Sequence, residues 1–270
     1  MTRFLHLTDL HVSHPDLKDP NLHSDTPATL TRLVEAITAM DPAPDFVVAS
    51  GDLTNHGDEL SYELVKELLA DLPVPVVLAL GNHDKREGFN AVFRDGPSDR
   101  PYFHDQILAG LHVITLDTGV PGKVAGAIDA EQRDFLTEKL AQEPDLPKLL
   151  ILHHPPRIDP AGLPWGSIDT DSTEFLAGAF KGYKVVGILS GHIHINQVIH
   201  WHGIPVVVSN GNHSTVDLLE RKDMRIIEGT GFAICDVRPS GLTATFVPLS
   251  PDRAQLAFID QERLRRLSLL

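Results

Sequence analysis

The sequence predicts an α/β fold with αββα layering, and three observations carry that expectation. Short apolar runs alternate with amphipathic stretches from Arg3 to Ser209, the pattern of strands and the helices that cover them. The runs end repeatedly on Asp, His or Asn, as in open α/β sheets whose ligands gather beyond the carboxyl ends of the strands. From Gly231 onward the pattern is β, which asks for a second sheet packed against the first.

Arg3 to Thr8 reads as a buried strand ending at Asp9, and Val12 to Asp25, polar with two prolines, as loop. Thr26-Pro27 reads as an N-cap with Pro at the first helical position. Leu30, Leu33, Val34, Ile37 and Met40 follow at helical spacing until Asp41-Pro42 stops the helix. Phe46 to Ala49 is a strand delivering Gly51-Asp52. Leu60, Leu64, Val65, Leu68 and Leu69 form the next amphipathic stripe, and Val74 to Leu80 is a strand delivering Gly81-Asn82-His83-Asp84. Lys85 to Asp105 has no clean period and reads as loop with one short helix around Asn90. Leu111 to Leu116 is a strand. Asp129 with Gln132 resembles a capping box that opens a helix through Phe135, Leu136 and Leu140. Lys148 to Leu152 is a strand delivering His153-His154. Pro155 to Asp171 holds four prolines and two glycines and reads as an extended surface loop. A short helix over Thr173 to Phe180 follows, then a strand from Val185 to Leu189 delivering Gly191-His192, and another from Pro205 to Ser209 delivering Asn210 to Ser214. Phe232 to Val237 and Leu242 to Val247 are strands joined through Pro239-Ser240-Gly241. With no repeat or low-complexity linker, residues 1–250 read as one domain. Residues 251–270 read as a C-terminal tail whose Leu264, Leu267, Leu269 and Leu270 suit docking or an oligomer contact.

Composition narrows the partners. Hydrophobic content of 42% and charged content of 22% are ordinary for a globular protein. The net charge of -14 argues against a broad basic face for nucleic-acid polymers or anionic membrane. Cys235 is the one cysteine, so no intrachain disulfide can form. The start of the chain lacks a signal-peptide pattern and no run approaches a transmembrane span, so a cytoplasmic protein is expected. The tail leucines suggest a homo-oligomer, a dimer or larger.

The 15 histidines carry most of the functional argument. Gly81-Asn82-His83-Asp84 is the focal stretch, since an Asn amide oxygen is an uncommon metal ligand and a neighbouring His is a proton donor or ligand. Asp9 and His11 are two apart at a strand end, and so are His192 and His194. Asp52 follows a glycine and has two oxygens with which to bridge two ions. With His153, these residues supply the mixture of imidazole, carboxylate and amide that holds two divalent transition ions close together, iron, manganese, zinc or cobalt rather than calcium. His154 reads as a supporting or structural residue. His6, His104, His112, His200 and His202 lie in or beside strands and read as packing or surface residues. His14, His23 and His56 lie in loops near site segments. His213, Trp165 and Arg157 are the candidates for substrate contact: the Asn212-His213 loop and the Pro-rich loop both leave strand ends where the metals are expected, and an indole could stack on a base.

Asp9-Leu10-His11, Gly51-Asp52-Leu53-Thr54-Asn55, Gly81-Asn82-His83-Asp84, His153-His154 and Gly191-His192-Ile193-His194 occur in this order over most of the chain. The set resembles the calcineurin-like metallophosphoesterase superfamily, and within it the class III cyclic-nucleotide phosphodiesterases and bacterial glycerophosphodiesterases. The resemblance implies a four-layer αββα sandwich of two mixed β-sheets flanked by helices. It implies that Asp9, His11, Asp52 and His194 hold one metal and that Asp52, Asn82, His153 and His192 hold the other, Asp52 bridging. It implies that His83 and Asn82 act on the phosphate and that Asp84 orients His83. The implied cofactors are two divalent or mixed-valence transition metals (Fe, Mn, Zn or Co). The implied activity is metal-dependent hydrolysis of a small phosphodiester, a 3′,5′- or 2′,3′-cyclic nucleotide or a glycerophosphodiester, by a metal-activated hydroxide. A phosphomonoesterase of the same superfamily and a non-catalytic scaffold of the same fold are the alternatives. Asn55 stands where purple acid phosphatases carry their chromophoric Tyr, and the Gly-Asp-x-Val-Asp-Arg-Gly pattern of protein Ser/Thr phosphatases is absent.

Overall fold

Alternating side chains build three separate cores, and the cores define the layers. The structure, a computed structural model, describes residues 1–20, 22–96, 98–249 and 255–267. Its strands are β1 (Thr2–Leu7), β2 (Phe46–Ser50), β3 (Val76–Ala79), β4 (His104–Leu108), β5 (Leu111–Thr115), β6 (Lys148–Ile151), β7 (Val185–Ser190), β8 (Gln197–Trp201), β9 (Ile204–Val208), β10 (Thr215–Val216), β11 (Met224–Ile227), β12 (Gly231–Arg238), β13 (Gly241–Pro248) and β14 (Gln255–Ile259). Its helices are α1 (Thr26–Thr38), α2 (Glu59–Leu69), α3 (Arg86–Phe93), α4 (Ala130–Ala141), α5 (Thr170–Ala179) and α6 (Gln261–Leu267).

One sheet runs β13-β12-β1-β2-β3 and the other β4-β5-β6-β7-β9-β8. Both are mixed: β1, β2 and β3 are parallel while β12 and β13 are antiparallel, and β5, β6, β7 and β9 are parallel between antiparallel edges. Because successive strand residues point to opposite faces, Phe4, Phe46, Val48, Val77 and Ala79 enter the core between the sheets, where Val113, Leu149 and Ile151 meet them. Leu5, Leu7, Val47 and Ala49 face the other way, onto Leu30, Leu33 and Ile37 of α1 and Tyr62 and Val65 of α2. On the far side Ile114, Leu150 and Ile188 pack on Leu136 of α4 and Leu176 of α5. Helix, sheet, sheet, helix is therefore the layer order, as the sequence predicts.

His6 is fully buried and ties the ends of the two sheets together. Its Nε2 lies 2.8 Å from Oγ of Ser50, the last residue of β2, and its Nδ1 lies 3.2 Å from Ser209 Oγ just past β9. His112, also buried, meets Asp105 and Lys148, whereas His200 and His202 are exposed.

Several elements depart from the sequence reading. The cap of α1 is Asp25, which accepts from Ala28 N–H at 3.0 Å, and not Thr26, whose hydroxyl is taken by the His11 carbonyl at 2.9 Å. The start of β4 falls inside the expected loop; β4 turns into β5 through Ala109 (φ 48°) and Gly110 (φ 82°). A like turn at His202 (φ 50°) and Gly203 (φ 83°) joins β8, also unexpected, to β9. α5 starts at Thr170, three residues ahead of the expected start, and its cap Asp169 accepts from Ser172 N–H at 2.7 Å. A small third sheet, β10-β11-β14, was not foreseen. Through it Gln255–Ile259 of the tail pairs with β11, while Leu269 and Leu270 lie outside the described residues. Among the described residues, no helix is long and apolar enough to cross a membrane.

Candidate metal centre

The carboxyl ends of β1, β2 and β3 meet those of β6 and β7 on one rim. The chain turns sharply after β1, β2 and β7. Asp9 (φ 50°), His11 (φ 44°), Asp52 (φ 49°), His192 (φ 72°) and His194 (φ 51°) all sit in the left-handed region, which is costly for residues with a Cβ. Backbone bonds hold them: Asp9 N–H donates to Gly51 O at 3.0 Å, His11 N–H to Asp52 O at 2.9 Å, and Asn212 N–H to Asp9 O at 3.2 Å. Strain that the surroundings over-determine is concentrated where chemistry is done. Gly51 (φ 111°) allows the close approach of the sheets, since a Cβ there would stand 2.6 Å from His153 Nδ1.

These turns bring the ligand-type atoms together. Donor atoms of Asp9, His11 and His194 lie within 4.8 Å of one another, as do those of Asp9, Asp52 and His153, and those of His11, Asp52 and His83. His194 Nε2 is 3.3 Å from Asp9 Oδ1 and 3.2 Å from His11 Nε2. His153 Nε2 is 3.2 Å from Asp52 Oδ2, and His11 Nε2 is 3.6 Å from the same oxygen. Asp52 thus stands between His11 on one side and His153 on the other.

Three of the rings are oriented by backbone carbonyls. His153 Nδ1–H donates to Ser50 O at 3.0 Å, His194 Nδ1–H to Ser214 O at 3.1 Å, and His192 Nε2–H to Trp165 O at 2.6 Å. Each leaves the opposite nitrogen with a lone pair. His153 Nε2 and Asn82 Oδ1 are buried and make no hydrogen bond. Two orphaned lone pairs beside two buried carboxylates suit cations, and the nitrogen and oxygen mixture suits divalent transition ions.

The field agrees. Burial lowers the His153 pKa, but the Asp52 and Asp9 carboxylates outweigh it and push it up to about 9, so the same two acids that would draw a cation onto the Nε2 lone pair draw a proton there when no cation competes for it. Burial opposes ionisation of Asp9 and Asp52 too, yet His194 and His153 hold both below the usual carboxylate range. His192, desolvated and next to His153, falls to about 4. The pocket is built to receive positive charge between its acids.

His83 is exposed at the rim; its Nδ1–H donates to Asn55 O at 3.0 Å and its N–H to Asp52 Oδ1 at 2.8 Å. Asp84 does not orient it. The Asp84 carboxylate instead accepts from Leu53 N–H (3.0 Å), Gly81 N–H (2.9 Å) and Tyr62 Oη (2.9 Å), pinning the two site loops to each other. Burial, with the charge of Asp52, pushes the Asp84 pKa up to about 6. Arg157 is engaged within its own loop: Nη2 donates to Pro160 O at 3.0 Å and Gly162 O at 2.9 Å, stiffening the Pro-rich loop.

Trp165 and His213 lie beside the cluster. The Trp165 ring is 5.7 Å from His192, and the buried His213 ring is 5.1 Å from His11 with Nδ1 held by Ser24 Oγ at 3.0 Å. His154 uses both nitrogens inside the fold, on Thr118 Oγ1 at 2.7 Å and Val124 O at 3.0 Å. His23 stacks 6.3 Å from His213, His14 caps the turn Pro15–Leu17, and His56 pairs with Asp19 at 2.6 Å. The sequence reading missed Asn55, which supports both His11 and His83, and Tyr62. Asn55 lies three residues past Asp52 in the same loop, the one signal that marked it.

Layered sheets with this donor set at their joined ends define a metal-type phosphoester hydrolase. A family model described as calcineurin-like phosphoesterase matches residues 2–196, and the chain belongs to that family. It is 34% identical over 223 residues to a probable cyclic nucleotide phosphodiesterase of Rhodococcus erythropolis, covering 79% of this chain and 72% of the relative. It is 30% identical over 272 residues to a cAMP/cGMP dual specificity phosphodiesterase of Mycobacterium tuberculosis, covering 97% and 84%. Among solved structures, a dimetal phosphatase from Danio rerio shares the fold with a TM-score of 0.68 at 12% identity, covering 96% of this chain and 98% of that one.

Proposed function

We propose that the chain is a binuclear metal-dependent phosphodiesterase whose substrates are small diesters, cyclic nucleotides first. The observation that carries the reading is the placement of Asp52 between His11 and His153, with Asp9 and His194 completing the cluster. Asp9, His11, Asp52 and His194 would hold one ion and Asp52, Asn82, His153 and His192 the other. Bound there, the ions would supply a water acidic enough to ionise near neutral pH and positive charge for the phosphate.

The chain's own residues do the rest. His83 is held through Nδ1–H, which leaves the Nε2 lone pair to take up a proton from water, and the imidazolium so formed can pass that proton to the leaving oxygen. Its backbone N–H fixes Asp52. His213 and the loop carrying Trp165 flank the cluster and can take the second substituent of a diester. The net charge of -14 offers little for a dianion beyond the metals themselves, which favours a singly charged diester. The relatives named as cyclic nucleotide phosphodiesterases point the same way. The reading extends to a cytoplasmic homo-oligomer. The single buried Cys235 suits a reducing compartment, and exposed Leu218, Leu219 and Phe258 offer an apolar contact.

The test compares bis(p-nitrophenyl) phosphate, p-nitrophenyl phosphate and 3′,5′-cyclic AMP in one Mn²⁺-loaded preparation before and after chelation. Higher kcat/KM on the diester, cyclic AMP turnover and loss of both with chelator are expected. A clear monoester preference would overturn the diesterase reading.

A further inference from the structure

His11 differs from the other histidines of the cluster in what orients it. His153, His192 and His194 each donate to a backbone carbonyl, which no substitution of the carbonyl's residue removes. His11 Nδ1 instead lies 2.9 Å from a side-chain atom, Asn55 Oδ1, and both residues are buried. An amide can present either its oxygen or its NH₂, and the two ends impose opposite tautomers on the imidazole.

Asp19 decides which end. It belongs to the polar segment between Val12 and Asp25, and its side chain is 1% exposed. Asn55 Nδ2 donates to Asp19 Oδ2, which also pairs with His56 Nε2 at 2.6 Å. A carboxylate only accepts, so the Asn55 NH₂ must face Asp19 and its oxygen must face His11. The proton of His11 then sits on Nδ1, and the Nε2 lone pair points at Asp52 and His194. The Asn55 backbone is fixed independently, its N–H donating to Val12 O at 3.1 Å, so the side chain can answer to Asp19 without moving the loop.

We infer that Asp19, through Asn55, is a positioning residue that sets the His11 tautomer and thereby strengthens metal binding at the cluster. The affinity part rests on the metal reading above; the tautomer part does not. Hydrogen-bond partners of metal-ligating histidines are typically worth about 10–100-fold in metal affinity.

Two measurements separate these parts. Long-range ¹H–¹⁵N NMR of the metal-free protein at pH 8 should show His11 protonated on Nδ1 in wild type. Asn55→Leu and Asp19→Ala should shift it toward Nε2–H, while Asp19→Asn, whose carbonyl can still accept from Asn55, should keep the wild-type pattern. Co²⁺ affinity, read by competition with a chromophoric chelator, should fall about 10–100-fold in Asn55→Leu and about 10-fold in Asp19→Ala. In an Asn55→Asp background, both ends of residue 55 accept, so adding Asp19→Ala should cost no further affinity. His11 protonated on Nε2 in wild type, or tautomers indifferent to Asp19→Ala, would overturn the relay. Equal Asp19→Ala losses in the wild-type and Asn55→Asp backgrounds would overturn it too. Correct tautomers in a wild type that binds no Co²⁺ would sink the metal reading and the affinity part with it.

Discussion

Replacing His6 by Gln should flatten the acid limb of the stability curve. His6 is fully buried between Ser50 Oγ and Ser209 Oγ. Burial, only partly offset by Asp9, pulls its pKa from 6.5 down to about 3. The folded state therefore refuses a proton that the unfolded chain accepts. Above pH 6.5 both forms are neutral and nothing is lost. As pH falls below 6.5 the unfolded state gains protons, and each unit removes about 1.4 kcal/mol of stability until the folded value is reached. By pH 5 the wild-type penalty from this one residue is about 2 kcal/mol. Glutamine does not titrate and has both a donor and an acceptor for the two hydroxyls. At pH 7.5 it should be less stable than wild type by about 1 kcal/mol from imperfect hydrogen bonds. By pH 5 that deficit should have disappeared or reversed. Urea unfolding of metal-stripped wild type and His6→Gln at half-unit steps from pH 7.5 to 4.5 reads the difference directly. Parallel curves would mean that His6 is not the neutral tie between the sheets described here.

Asp52→Ala and His83→Ala should fail in different ways. The first should lose bound metal as well as rate; the second should keep its metal, counted by elemental analysis, and lose about 10²–10⁴-fold in kcat as expected for a general acid. Tyr62→Phe removes a donor to Asp84 and an acceptor for Lys85 N–H, at 2.9 and 3.0 Å, and should destabilise the fold by about 1–3 kcal/mol in urea titrations. Gly51→Ala should lower metal occupancy, because its new methyl meets the His153 ring; full occupancy at wild-type stoichiometry would refute that packing argument.

The sequence reveals the central strands because they are apolar and local. Phe46-Val47-Val48-Ala49 and Lys148 to Leu152 are buried on both faces, and each ends on its site residue. The cluster was legible for the same reason: its members close the strands that bury most. What stayed hidden depends on turns or on distance along the chain. β4 and β8 are half-polar edges, and the tight turns at Ala109-Gly110 and His202-Gly203 lack the Asn-Gly or Asp-Gly signature that announces a hairpin. β11 and β14 pair across a separation that no local period can report. Asp84 reads as a partner for the histidine beside it, but adjacent side chains past a strand diverge, and its oxygens accept from the Leu53, Thr54 and Gly81 N–H groups and the Tyr62 and Thr54 hydroxyls instead. Asp19 carries no motif, and the motif that ends on Asn55 does not say what its amide meets; only the folded loop brings a residue from before α1 against one from after β2.

The left-handed backbone at Asp9, His11, Asp52, His192 and His194 sets this protein's durability against its chemistry. Each such conformation costs about 1–2 kcal/mol that a glycine would not incur. A population selected for heat resistance alone would be drawn to glycine at these five positions, and every step upward in melting temperature there would remove a ligand-type side chain. Directed evolution on this fold must therefore screen turnover in every round, since its easiest gains in robustness lead toward an inert shell.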